Sequence, residues 1–142
     1  MKTKITFFCS LAIVVLSFLF QSCKKDETPA DAEKLIGTYS VHDIVTGASA
    51  GTYDYDVTVT QSSTDKNNII IKGFGGWTTA EITATASDGS ITIASQESIA
   101  AGGNISGSGT YDKTSFALTH ISWTGTYTGG ATDNGNATYT KK

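Results

Sequence analysis

The chain has 142 residues, with 10 lysines, no arginine and 13 acidic residues, for a formal net charge of −3. An acidic chain without arginine excludes nucleic-acid binders, which rest on phosphate neutralisation and Arg contacts to bases. It equally excludes docking on a membrane through a polybasic patch. The length fits one domain, and both cysteines, Cys9 and Cys23, fall in the first 23 residues, so the rest of the fold must stand on packing alone.

In chain order, Lys2 and Lys4 make a short positive start. A 14-residue run, 7–20, follows, apolar except for two serines and Cys9. A spanning helix needs about 20 apolar residues, so this run has the length of a secretory signal core rather than a membrane span. The next residues, Phe20-Gln21-Ser22-Cys23, resemble the bacterial lipobox: a bulky apolar residue, a small residue directly before the cysteine, and the cysteine itself. The resemblance implies cleavage after residue 22, a thioether-linked diacylglycerol on Cys23 and a further fatty acyl chain, such as palmitate, on its amino group. Removing residues 1–22 also removes Lys2 and Lys4, so the mature 142 − 22 = 120 residues carry 8 − 13 = −5. Two or three acyl chains, at about 0.8 kcal/mol per buried CH₂, anchor stably where one is marginal.

Lys24-Lys25-Asp26-Glu27 follows the cysteine. Lys25, Asp26 and Glu27 resemble the Lys–acid–acid export signal of surface lipoproteins in some Gram-negative bacteria; the plainer reading is a solvated tether. Thr28-Pro29-Ala30-Asp31 has a helix-start pattern, with Thr at the N-cap, Pro at N1 and an acid at N3. A short helix over 29–35, ended by Gly37, follows from it. The division is therefore a signal peptide at 1–22, a lipidated cysteine with tether and short helix at 23–34, and a β-domain at 35–142.

From Gly37 onward there is no proline, and Thr, Ser and Gly dominate. Apolar residues recur every second position with turn signals every eight to twelve, the pattern of an all-β sandwich or barrel. Tyr53, Tyr55, Val57 and Val59 line one face of a strand, and Asp54, Asp56, Thr58 and Thr60 the other. Eight strands are expected: 38–45, 53–61, 69–74, 80–87, 90–96, 105–111, 116–127 and 137–139, with a loose turn over 129–135. Asp88-Gly89 is a two-residue hairpin signal of type I′. In the seventh strand Phe116 and Leu118 share one parity while Ile121, Trp123 and Tyr127 share the other, so a β-bulge near Thr119-His120 is predicted.

Short antiparallel connections favour an up-and-down meander, and eight such strands close into a barrel without edges. Leu35-Ile36-Gly37-Thr38-Tyr39, following a short helical turn, resembles the start of the lipocalin-like (calycin) barrels, which carry Gly-x-Trp on the first strand. Gly37 matches, and Tyr39 stands in place of the tryptophan. Avidin-like barrels, which open with Gly-Thr-Trp, are similar to the same degree. The implied fold is an all-β, eight-stranded antiparallel up-and-down barrel with a short N-terminal helical turn after a cleaved signal peptide.

Candidate chemistry is sparse. His42 and His120 could join Asp43, Asp54 or Asp56 in a metal or acid–base site, but the spacing matches no known type, and strand-borne polar residues mostly sit on the wet face. Glycines at 73, 75, 76, 102, 103, 107 and 109 precede no helix of phosphate-loop type and read as turns and close strand approaches. Asp133-Asn134-Gly135-Asn136 lacks the spaced ligands and terminal Glu of a calcium loop and reads as a turn. No catalytic residue, metal or cofactor beyond the acyl chains on Cys23 is expected, with a hydrolase the remote enzymatic alternative.

The aromatics carry more. Trp77 is expected in a loop, exposed and without packing duty; Tyr53 and Tyr55 share one strand face, and Trp123 shares another with Tyr127. Such rings either form ordinary core or stack on sugars and apolar ligands. Small inward residues, Ala84, Ala86, Gly107 and Gly109, fit either a cavity or closely packed walls. The reading is a lipid-anchored protein of the cell outer membrane, surface-exposed or on the periplasmic face. Its barrel acts as a binding module for a small apolar or glycan ligand or a protein partner, with Trp77, Tyr53, Tyr55 and Trp123 as candidate contacts. The alternative is an accessory lipoprotein with a side-chain-filled barrel.

Overall fold

A computed structural model describes residues 30–98 and 101–142. A single turn of helix, α1 (Asp31–Lys34), precedes eight strands: β1 (Gly37–Gly47), β2 (Gly51–Gln61), β3 (Asn68–Lys72), β4 (Glu81–Ser87), β5 (Ser90–Ser98), β6 (Gly103–Asp112), β7 (Ala117–Tyr127) and β8 (Thr132–Lys141). A 3₁₀ turn, Phe74–Gly76, interrupts the β3–β4 connection. Each strand pairs antiparallel with the next, and β8 pairs with β1, giving a closed up-and-down barrel with no free edge. The signal peptide, lipobox and export-signal residues lie outside the described residues.

Alternation fixes which side chains face in. Tyr39, Val41 and Val45 of β1, Val57 and Val59 of β2, and Ile69 and Ile71 of β3 are buried, while their neighbours along each strand are exposed or half-buried. The predicted hairpin is present, with Asp88 at φ 49° and Gly89 at φ 84° as a type I′ turn requires. The predicted bulge is present too: Thr110 pairs with His120 and Tyr111 with Leu118, leaving Thr119 as the extra residue. Leu118 and Ile121 can therefore both point inward.

Several expectations need correction. A second irregularity lies between Ile93 and Gln96, where one extra residue on β5 shifts the register against β6. Just there the β4–β5 ladder has stopped after Thr85 and Thr92. The Gln96 side chain replaces it, accepting from Thr83 N–H at 2.9 Å and donating to Thr83 O at 2.7 Å. Phe74 is not in a strand: Gly73, at φ +82°, turns the chain and Phe74 swings fully into the core. The last strand begins at Thr132, not after a 129–135 turn, because Asp133 and Gly135 have inward partners described below. The helix starts at Asp31 with Ala30 at its N-cap and no side-chain cap; Thr28 and Pro29 lie outside the described residues. Tertiary contact anchors it instead, through a hydrogen bond from the Tyr111 hydroxyl to the Asp31 carboxylate.

The barrel's two ends differ. At one end α1 acts as a stopper: Ala32 and Leu35 are fully buried, and the Tyr39 hydroxyl donates to Leu35 O at 2.7 Å. Lys34 lies 4.2 Å from the centre of the Phe116 ring, which stacks on Tyr111. The opposite end is formed by the β1–β2, β3–β4, β5–β6 and β7–β8 connections, with the 3₁₀ turn folded across it.

A candidate ligand pocket at the barrel mouth

The open end holds a cavity of about 140 Å³ lined by Val45, Ser49, Tyr53, Gly75, Trp77, Trp123 and Asp133. Its floor is Trp123 on β7. This indole is almost wholly buried and lies flat over the backbone of its cross-strand neighbour Gly135. A Cβ at Gly135 would fall inside the ring, against Nε1 and Cε2 and 2.6 Å from Cζ2, so only glycine leaves room. On the other side Trp123 pairs with Gly107, whose missing side chain lets β6 and β7 approach closely.

Beneath the floor Trp123 Nε1–H donates to Asp43 Oδ2 at 2.9 Å, and the Tyr55 hydroxyl donates to the same oxygen at 3.0 Å. Asp43 is fully buried, and its Oδ1 has no partner among the described residues; neither does the hydroxyl of Tyr139. Burial, then the charges of Tyr139 and Asp43, push the Tyr55 hydroxyl far above its ordinary range. Burial, then Asp43, does the same to Tyr139. Asp43 thus fixes the tilt of the pocket floor from inside the barrel.

The roof and wall come from loops. Trp77 folds back over Gly75, where a side chain would enter the indole and where the backbone is left-handed at φ +64°. Trp77 meets Trp123 edge-on at 5.9 Å between ring centres and Tyr127 at 6.4 Å; Phe74 meets Trp123 from the core side at 5.9 Å. Asp133 closes the wall, its Oδ1 accepting from Ser49 N–H at 2.7 Å. Burial works to raise the Asp133 carboxyl, but hydrogen bonding from Ser49 holds it below its ordinary value. Burial and Asp133 in turn push the Tyr127 hydroxyl up to about 12. Tyr53 stands at the rim, 44% exposed, its hydroxyl donating to Ser49 O at 2.9 Å.

Of the four aromatic candidates, Tyr53, Trp77 and Trp123 therefore line one cavity. Tyr55 sits a layer below, outside the lining, and donates to Asp43. Trp77 is half-buried and packed rather than freely exposed, because the loop curls over the barrel. Sequence reasoning weighed Asp43 only as a partner of the histidines and Asp133 only as part of a turn, and placed neither at this pocket. Their signal was parity: Asp43 continues the inward series Tyr39, Val41, Val45, and Asp133 the series Gly135, Ala137, Tyr139. The histidines lie on the outer wall, apart from the cavity. His42 Nδ1 is 2.7 Å from Asp54 Oδ1, and His120 Nε2 is 2.6 Å from Asn136 Oδ1. Among the described residues no group of three or more His, Cys, Asp or Glu side chains could hold a metal ion.

Among solved structures, the chain is similar to a redesigned beta barrel, with a TM-score of 0.47 and 15% sequence identity over 78% of this chain and 96% of the other. No protein-family model matches the sequence, and no curated protein matches it.

Proposed function

We propose that the chain is a lipid-anchored cell-envelope protein, cleaved before Cys23 and acylated there, whose barrel mouth binds a small ligand. The observation that carries the binding reading is the 140 Å³ cavity walled by two tryptophans, a rim tyrosine and a buried carboxylate. Side chains fill the barrel beneath Trp123, so the ligand is one that fits the mouth rather than a long chain threading a deep calyx. The reading assigns binding, not catalysis.

The two ends of the barrel support the anchored arrangement. Residue 30 enters at the end stoppered by α1, and Cys23 is 30 − 23 = 7 residues upstream, a reach of at most about 25 Å. A membrane attached through Cys23 would lie beyond the stoppered end, and the mouth would face away from it. A side-chain-filled accessory barrel is the competing reading, favoured by the dense packing under the floor. Native mass spectrometry of the protein extracted gently from its own membranes tests both parts. The proposal expects an acylated N-terminal cysteine at residue 23 and a discrete non-covalent adduct that a mouth-filling Ser49→Trp variant lacks. An unmodified mature start elsewhere overturns the anchor; an adduct that survives Ser49→Trp, or no adduct, overturns the pocket.

A further inference from the structure

The chemistry of the mouth narrows its ligand class, an inference that rests on the pocket reading above. We propose that the pocket selects a small, fully alkylated ammonium group, such as the trimethylammonium head of a choline-like molecule.

The sign of charge comes first. Asp133 lines the cavity and is 1% exposed, and Asp43 lies behind the Trp123 ring, fully buried. Lysines are segregated from them. Of the six among the described residues, Lys34, Lys66, Lys113, Lys141 and Lys142 belong to the stoppered end, on α1, the β2–β3 and β6–β7 turns and the end of β8. Lys72 is nearer the mouth but points outward and pairs with Glu81 at 2.8 Å. The mouth therefore presents negative charge in a partly dehydrated site, where Coulomb attraction is stronger than in water.

The rings point the same way. Trp77, Trp123 and Tyr53 all line the cavity, and the electron-rich face of an indole or phenol attracts a cation within about 6 Å of its centre. The one-sided placement of the acceptors then decides which cation. A primary ammonium brings three N–H donors that need partners once dehydrated. Here Val45, Gly75, Trp77 and Trp123 offer no side-chain acceptor, so the acceptors lie along the one edge formed by Ser49, Tyr53 and Asp133, and Asp133 Oδ1 already accepts from Ser49 N–H; donors pointing toward the rings would go unmet. An alkylated ammonium brings no donor, spreads its charge over methyl groups and suits an apolar, ring-walled site. Size agrees: an apolar cavity of about 150 Å³ is known to take benzene, which is comparable to a trimethylammonium group.

The test is a calorimetric titration of the full lipidated protein in a non-ionic maltoside detergent. Two probes of nearly equal shape are compared: choline, and its neutral carbon analogue 3,3-dimethylbutan-1-ol. Choline binding about tenfold or more tighter than the neutral alcohol is expected, as desolvated cation–π contacts permit. Asp133→Asn should remove most of that preference, read as the ratio of the two affinities in the same variant. Equal affinity of the two probes overturns the ammonium assignment and leaves an apolar mouth pocket standing. Binding of neither overturns the assignment and the pocket reading together. The comparison on the unsubstituted protein stands even if Asp133→Asn fails to fold.

Discussion

Replacing Gly135 with alanine is a small change with a large computable effect. The new Cβ would occupy the space of the Trp123 indole, against Nε1 and Cε2. The clash is with a rigid ring, so no flexible tip can swing aside. Trp123 must tilt off β8, and its N–H must leave Asp43 Oδ2. Overpacking a filled interior costs about 1–3 kcal/mol. Losing a hydrogen bond to an acidic group in a buried site costs about 1.5–3 kcal/mol more. The sum, about 3 kcal/mol or more, is a large part of the roughly 5–15 kcal/mol that holds a domain folded. Urea melts should show the midpoint falling with the slope unchanged. The near-ultraviolet circular dichroism of the tryptophans should change even where the variant is fully folded. A Gly135→Ala barrel within 1 kcal/mol of the unsubstituted protein, with its tryptophan signals intact, would refute the floor geometry.

Other outcomes follow from the same contacts. Deleting Thr119, the bulged residue, leaves Leu118, His120 and Ile121 in plain alternation, so the barrel should still fold with a loss of about 1–2 kcal/mol. Deleting Ser122, which pairs regularly with Ser108 and Asn136, would turn Trp123 and Tyr127 outward and should abolish folding, as circular dichroism would read. Gln96→Ala strips both side-chain bonds from the Thr83 backbone and should cost about 1 kcal/mol in a denaturant melt, since the exposed groups it frees turn to water. Tyr55, Tyr127 and Tyr139 have folded-state pKa values raised above the unfolded value of about 10. Their contribution is complete below pH ~10 and is lost as pH climbs above it, so tyrosinate absorbance should appear together with unfolding. On the acid side, Asp56, Asp88, Asp112 and Asp133 are held below their ordinary values. Their contribution is present above pH ~4 and lost as pH falls through the lowered values, which thermal melts at pH 2–5 would follow.

The barrel was legible because its signals are local. Period-two alternation, Asp-Gly at the hairpin and the parity break between Leu118 and Ile121 each act within a few residues, and the structure carries all three. What was hidden depends on partners distant in sequence. Asp133-Asn134-Gly135 looks like a turn by composition. It becomes strand because Gly135 receives a tryptophan twelve residues earlier and Asp133 accepts an amide from the β1–β2 turn. Gln96 splints a ladder that stops beside the β5 bulge, which no local pattern announces. The mouth was partly foreseeable: its aromatic residues stood out, but Asp43 was expected on a wet strand face and Asp133 in a turn, so neither was placed beside them. Asp43 is tolerated inside only because Tyr55 and Trp123 both donate to it.

The measurement that reaches the central claim most directly is a crystal structure of the protein purified from its own membranes without displacing what it carries. The account predicts density for a small molecule in the mouth, in contact with Trp77, Trp123 and Asp133, with Trp123 still bonded to Asp43. A mouth filled by Trp77 itself, with any bound molecule seated on the outer wall instead, would contradict it.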